Sequence, residues 1–194
     1  MTLKEEIAKR LVLTIWEREV RDTVMIKLKL KRTPIIEFDD IQNAIMYTEY
    51  ICSIRRSDKV IISTEPTYKI QVNIKNMLMC IHDYKRKIAN PFCDVDKIII
   101  KQMLLHESRH IWQAENGFYD GICTNDKIDI SEYGYGSLRE EKDANDWAIQ
   151  QATNDKELAV FELQKFTQEQ VGKGIRNFDI EDEYMKSVLK AHYK

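Results

Sequence analysis

The sequence predicts an α+β protein: a small β-sheet early in the chain, packed against a central helix, and a helical C-terminal part. Three observations predict it. Strand-like runs of alternating or continuous apolar residues fall before residue 75. Helix-period patterns dominate after it. The composition, with 6 Gly, 3 Pro and 43% hydrophobic residues, favours compact helix-rich structure over disorder. The 194 residues suit one domain over 1–194, with 153–194 as a candidate helical appendage.

Thr2 followed by Glu5 is a capping-box pattern, and Leu3, Ile7, Leu11, Ile15 and Trp16 continue at helical spacing, so 3–20 reads as a helix. VMIKLKLK (24–31) alternates from Ile26 onward and reads as a half-buried strand. Thr33-Pro34 breaks it, and IIEF (35–38) adds a short strand. Asp39 or Asp40 is a candidate cap for a helix reaching about Ser53, with Ile41, Ala44, Ile45 and Cys52 on one side. VIIST (60–64) and YKIQVNI (68–74) read as two strands separated by Glu65-Pro66. Residues 75–88 read as a helix and 90–96 as a loop. A long helix follows from Asp96 to Glu115, stopped at Asn116-Gly117. Residues 118–137 are loop-like; 138–152, 156–171 and 180–192 are helical in pattern.

With 30 basic and 32 acidic residues the net charge is −2, which gives no reason to expect a nucleic-acid partner. The first residues are charged from Lys4 and carry no long apolar run, so neither a secretion signal nor a membrane span is expected, and the cytoplasm is the expected compartment. Cys52, Cys80, Cys93 and Cys123 form no CxxC pair and read as isolated reduced thiols.

The chemistry lies in LLHESRHIWQ (104–113). His106 and His110 are four apart, which on a helix puts both imidazoles on one face where they can bind the same ion. Glu107 is too close in sequence to be the usual third ligand, but is placed to act as a general base. A catalytic zinc site needs a third protein ligand. A histidine ten residues after His106 is excluded because Asn116 stands there, and the other histidines, His82 and His192, are distant. The stretch 139–148 offers Glu140, Glu141 and Asp143 on one helix.

HExxH followed by Glu141-Lys142-Asp143-Ala144-Asn145 resembles the gluzincin clan of metallopeptidases, and within it the compact cytoplasmic ImmA/IrrE-like proteases. The resemblance covers His106–Ala148. It implies a minimal zincin-like fold, one Zn2+ per chain held by His106, His110 and Glu141, and Glu107 as the general base. Ala144 and Ala148 share a helix side with Glu141, so this helix can approach the first closely. Asn145, one turn after Glu141, can hydrogen-bond a ligand imidazole and fix its tautomer. Arg109 stands where the clan usually has an uncharged residue; it must snorkel, pair with an acid or contact substrate. Asn145 replaces the clan's usual Asp, and the helix-turn-helix companion of ImmA/IrrE-like proteases is not evident.

Tyr135, in Tyr133-Gly134-Tyr135-Gly136, is a candidate donor to an oxyanion, although a surface turn with one buried ring is the plainer reading. Trp112 and Trp147 read as core, and His82 as structural or surface. Strand 24–31 or 68–74 is a candidate edge for an extended peptide. The expected function is a zinc metallopeptidase acting on a protein or peptide substrate, with a regulatory protein among the candidates. The alternatives are a catalytically silent interaction protein of the same fold, and a metal-dependent amidohydrolase on a non-peptide substrate.

Overall fold

The computed structural model of the chain describes residues 2–40, 44–56, 60–88, 94–118 and 139–172. It has the expected α+β architecture, with a three-stranded sheet set against the helix that carries the histidines. The helix expected at 180–192 lies outside the described residues, as does the expected loop apart from Phe118.

The first helix, α1 (Leu3–Ile15), begins with the capping box that Thr2 and Glu5 announce: Glu5 N donates to Thr2 Oγ1 at 3.2 Å and Thr2 N to Glu5 Oε2 at 2.8 Å. It buries Ala8, Val12 and Ile15, passes through one π-helical turn at Trp16–Val20, and continues as α2 (Arg21–Leu28). The strand expected at 24–31 is therefore helical up to Leu28. The alternation that suggests a strand competes with a longer stripe, Val20, Val24 and Leu28, spaced by four and wholly or almost wholly buried. That burial, worth about 1.5–3 kcal/mol per side chain, outweighs local alternation and leaves Ile26 73% exposed. Lys29, at φ 53, ends the helix in the left-handed region.

Strand β1 (Ile35–Phe38) is where the sequence places it. The helix expected from 39 or 40 to about 53 is corrected: Met46–Arg56 is a strand, β2. Its Tyr-, Thr- and Ile-rich sequence suits a pleated half-buried surface, and Met46 and Thr48 are buried while Tyr47 between them is exposed. The two strands expected at 60–64 and 68–74 are one, β3 (Val60–Val72). Pro66 is tolerated because β1 pairs in parallel only with Lys69–Val72, so β3 has one neighbour at the proline. Opposite Glu49, β3 inserts extra residues between the pairs Thr48↔Ile70 and Tyr50↔Pro66. Tyr68 sits in this bulge at φ 58. The sheet order is β1-β3-β2, with β2 antiparallel to β3. Neither segment expected at the edge is there: 24–28 is helical and 68–72 is central.

Helix α3 (Ile74–Ile88) starts at Asn73, whose Oδ1 accepts from Asn76 N at 3.0 Å. The long helix α4 (Val95–Glu115) is buried along most of its length, including Ile99, Ile100, Leu104, Leu105 and Ile111. Gly117, at φ 65, ends it as the sequence predicts. Two helices cover it: α5 (Arg139–Gln150), and α6 (Asp155–Gly172), capped by Asn154. A buried ion pair, Lys101 Nζ to Glu157 Oε1 at 2.7 Å, ties α6 to α4. So α4 packs against β2 and β3 of the sheet and against α5 and α6. Among the described residues no helix is long and apolar enough to cross a membrane.

Candidate metal centre

The helical spacing of four brings His106 and His110 together as expected, with their Nε2 atoms 3.0 Å apart. Helix α5 supplies the third group. Ala144 and Ala148 are fully buried, so α5 comes close to α4 and Glu141 reaches both rings. Its Oε2 lies 3.2 Å from His106 Nε2 and its Oε1 3.3 Å from His110 Nε2. All three side chains are buried, with 5%, 8% and 4% exposure for His106, His110 and Glu141. Of the three acids offered by the sequence, Glu141 is the one at the centre. This buried His-His-Glu group can hold a metal ion.

The hydrogen bonds behind the rings decide which nitrogens carry lone pairs. His106 Nδ1 faces Asn145 Oδ1 at 3.0 Å, and His110 Nδ1 faces Gln113 Oε1 at 2.7 Å. An amide oxygen only accepts, so each Nδ1 is the protonated nitrogen and each neutral ring turns a bare Nε2 inward. Both amides are bonded on their far side, Gln113 to groups that can only accept. Asn145 Nδ2 donates to Gln168 Oε1 at 2.7 Å, and its Oδ1 also accepts from Gln102 Nε2 at 3.4 Å. Gln113 Nε2 donates to Glu140 O at 2.9 Å and to Asp143 Oδ2 at 2.8 Å. With both rings neutral, two imidazole lone pairs and a carboxylate converge, and among the described residues Glu141 Oε2 is a buried acceptor without a hydrogen-bond partner. Such a cluster needs a positive charge at its centre.

A proton and a metal ion compete for that place. Burial pushes the His110 pKa down, but hydrogen bonding to Glu141, the charges of Glu107 and Glu141, and Gln113 reverse this and raise it to about 9. Burial pushes the Glu141 carboxyl up, but hydrogen bonds and charge from His106 and His110 more than offset it and hold it well below the usual carboxylate range.

Glu107 is half-buried beside the centre. The Thr48 hydroxyl of β2 donates to it, 3.0 Å from both its backbone oxygen and its Oε2. Arg109 points away and pairs with an acid, Asp143, across α4 and α5. Trp147 is core, whereas Trp112 is half-buried and stacks on the Arg109 guanidinium, 3.7 Å from Cζ to the ring centroid. His82 is exposed. Tyr133 and Tyr135 lie outside the described residues.

Sequence reasoning missed four residues around the centre. Gln113 had a signal, since it sits three residues after His110 on the same helix face. Gln102, also on α4 and four residues before His106, had the same signal. Thr48 had none, because its segment reads as a helix. Gln168 comes from α6, whose position against α5 is a tertiary fact. Comparison with models of known protein families, with curated proteins and with solved structures finds no match.

Proposed function

We propose that this chain is a zinc-dependent hydrolase that cleaves peptide bonds, with His106, His110 and Glu141 holding the ion and Glu107 as the general base. The observation that carries this reading is the convergence of three lone-pair groups at 3.0, 3.2 and 3.3 Å in a buried site. A tetrahedral zinc with bonds of ~2.0–2.1 Å sets its ligands roughly 3.3 Å apart, so the donors fit in type and spacing. Two neutral nitrogens and one carboxylate are a catalytic donor set, whereas structural zinc sites are mostly closed by four protein ligands rich in Cys.

When bound, zinc supplies Lewis acidity that polarises a carbonyl and acidifies water. The chain's own residues supply the rest. Asn145 and Gln113 keep both Nε2 atoms bare and aimed at one point. Glu107 accepts the proton of the attacking water and returns it to the leaving amine. Thr48 bonds Oε2 of Glu107 and so fixes the carboxylate's orientation. Thr48 lies on β2, which among the described residues pairs with β3 only, leaving an edge beside Glu107. An extended peptide adding to that edge by backbone hydrogen bonds would be carried past the general base. That edge favours peptide over a small amide.

The test is metal content by elemental analysis, together with turnover of a mixed peptide library read by mass spectrometry. Wild type and Glu107→Gln should each carry about one zinc per chain, and only wild type should cut. Zinc in both with the same cleavage pattern would remove the hydrolase reading and leave a metal-binding protein.

A further inference from the structure

Arg109 is the unexpected residue of the motif, a cation set between two histidines that face one buried site. Its side chain forks onto Asp143, Nε to Oδ2 at 2.8 Å and Nη2 to Oδ1 at 3.1 Å. The guanidinium is steadied by Trp112 at 3.7 Å, with Trp147 at 6.0 Å. Asp143 Oδ2 also accepts from Gln113 Nε2 at 2.8 Å, and the same nitrogen donates to Glu140 O at 2.9 Å. Both amide protons of Gln113 are thereby used. Its oxygen faces His110 Nδ1 at 2.7 Å. That contact keeps the ring proton on Nδ1 and leaves Nε2 bare.

We propose that Asp143, gripped by Arg109, is a positioning residue that sets the metal-binding tautomer of His110 through the orientation of the Gln113 amide. The proposal rests on the metal-centre reading and is independent of whether the centre hydrolyses anything. The carboxylate can only accept, so together with Glu140 O it holds the Gln113 amide nitrogen on its side. An amide in its place can donate; Gln113 can then turn over to accept that bond in exchange for the one to Glu140 O, and it offers N–H to His110 Nδ1. The ring proton moves to Nε2, the atom that must stay bare. Arg109 acts one step further out, by holding the carboxylate in a bidentate grip that a lysine does not reproduce.

Cobalt(II) is the probe, with affinity measured by chelator competition and ring protons read as exchangeable, paramagnetically shifted N–H resonances. Wild type should show two such resonances, one per ligated histidine. Asp143→Asn should bind cobalt roughly 10–100-fold more weakly. It should lose or shift the His110 Nδ1–H signal while that of His106 stays. Arg109→Lys, which keeps both charges, should weaken binding less than Asp143→Asn and speed exchange of the same proton; it carries the test if Asp143→Asn does not fold. Asp146→Asn is the control on the same helix, since Asp146 pairs with Lys165 at 2.5 Å and touches none of these groups. Equal cobalt affinity and two unchanged N–H signals in Asp143→Asn and Arg109→Lys would overturn the relay alone. A wild-type chain that takes up no cobalt would overturn the metal centre and the relay with it.

Discussion

His106 and His110 stand one turn apart on α4, but the groups behind them are of different kinds. Behind His106 the partners are neutral: Asn145 and Gln102 are fully or almost fully buried and Gln168 is half-buried. Behind His110 the buried Gln113 leans on an ion pair whose side chains keep 15% (Arg109) and 30% (Asp143) exposure. The first support draws on three helices, α4, α5 and α6, and is part of the packing. The second draws on α4 and α5 and reaches solvent. A neutral network in the core fails only when the core fails, whereas a charged one near the surface responds to its surroundings. Two chemically identical candidate ligands can therefore be lost by different routes.

The largest expected effect comes from the group that touches both histidines. Glu141→Ala should reduce zinc content from about one per chain to near zero, because two imidazoles alone leave an incomplete donor set. Elemental analysis decides it. Full occupancy in that variant would mean that the histidine pair binds without α5, and the comparison of their supports would lose its meaning.

Acid is the next lever. His110 is raised to about 9, so below that pH a metal must displace its proton. Apparent zinc affinity should rise about tenfold per pH unit toward that value and level off above it. Metal-free stability should run the other way. A pKa raised above the unfolded value of about 6.5 contributes stability that is complete below pH ~6.5 and lost as pH climbs through about 9. Glu141, held low, contributes above pH ~4.3 and loses that contribution in acid. Melting curves in chelator should therefore shift down between pH 6.5 and 9.5 while zinc affinity climbs. A metal affinity that is flat across that range would contradict the raised His110 value.

Asn145→Ala then tests the buried support directly. It leaves the His106 Nδ1–H and the amides of Gln102 and Gln168 without their shared partner. Each orphaned buried group costs about 1–3 kcal/mol, so the metal-free chain should melt several degrees lower. Asp143→Asn, at the exposed support, should cost less than ~1 kcal/mol of metal-free stability. Equal losses in the two variants would show that both supports belong to the core.

The same division explains what the sequence made legible. The capping box at Thr2, the stop at Gly117, the His106–His110 face and the small residues beside Glu141 are local patterns, and each has one structural solution. Asn145 was legible because it lies one turn from Glu141. The segments 24–28 and 46–56 were not. Alternation in the first and mixed apolar spacing in the second fit either period, and packing chose: Val20, Val24 and Leu28 demanded a helix, and pairing with β3 demanded a strand. Losing β2 from the sequence reading also lost Thr48. Arg109 could be framed from sequence only as a problem with three solutions; the choice of Asp143 depended on how α5 docks.

Salt should produce the smallest effect and the sharpest contrast between the supports. At 1 M ionic strength the Debye length is ~3 Å, so a partly exposed pair such as Arg109–Asp143 is weakened while buried amides are untouched. An exposed pair contributes about 0.2–1 kcal/mol, which corresponds to a loss of roughly 1.5- to 5-fold in zinc affinity if all of it reaches His110. Perchlorate is the suitable salt, since it does not compete for zinc. In Arg109→Met the cation is gone, and the salt response should shrink toward zero while the Asn145 side remains as in wild type. The measurement is zinc affinity at 0.05 M and 1 M salt for both proteins. If both lose affinity in parallel, salt acts on the ion or the chain at large, and the ion pair behind His110 is a fixed strut like the amides behind His106.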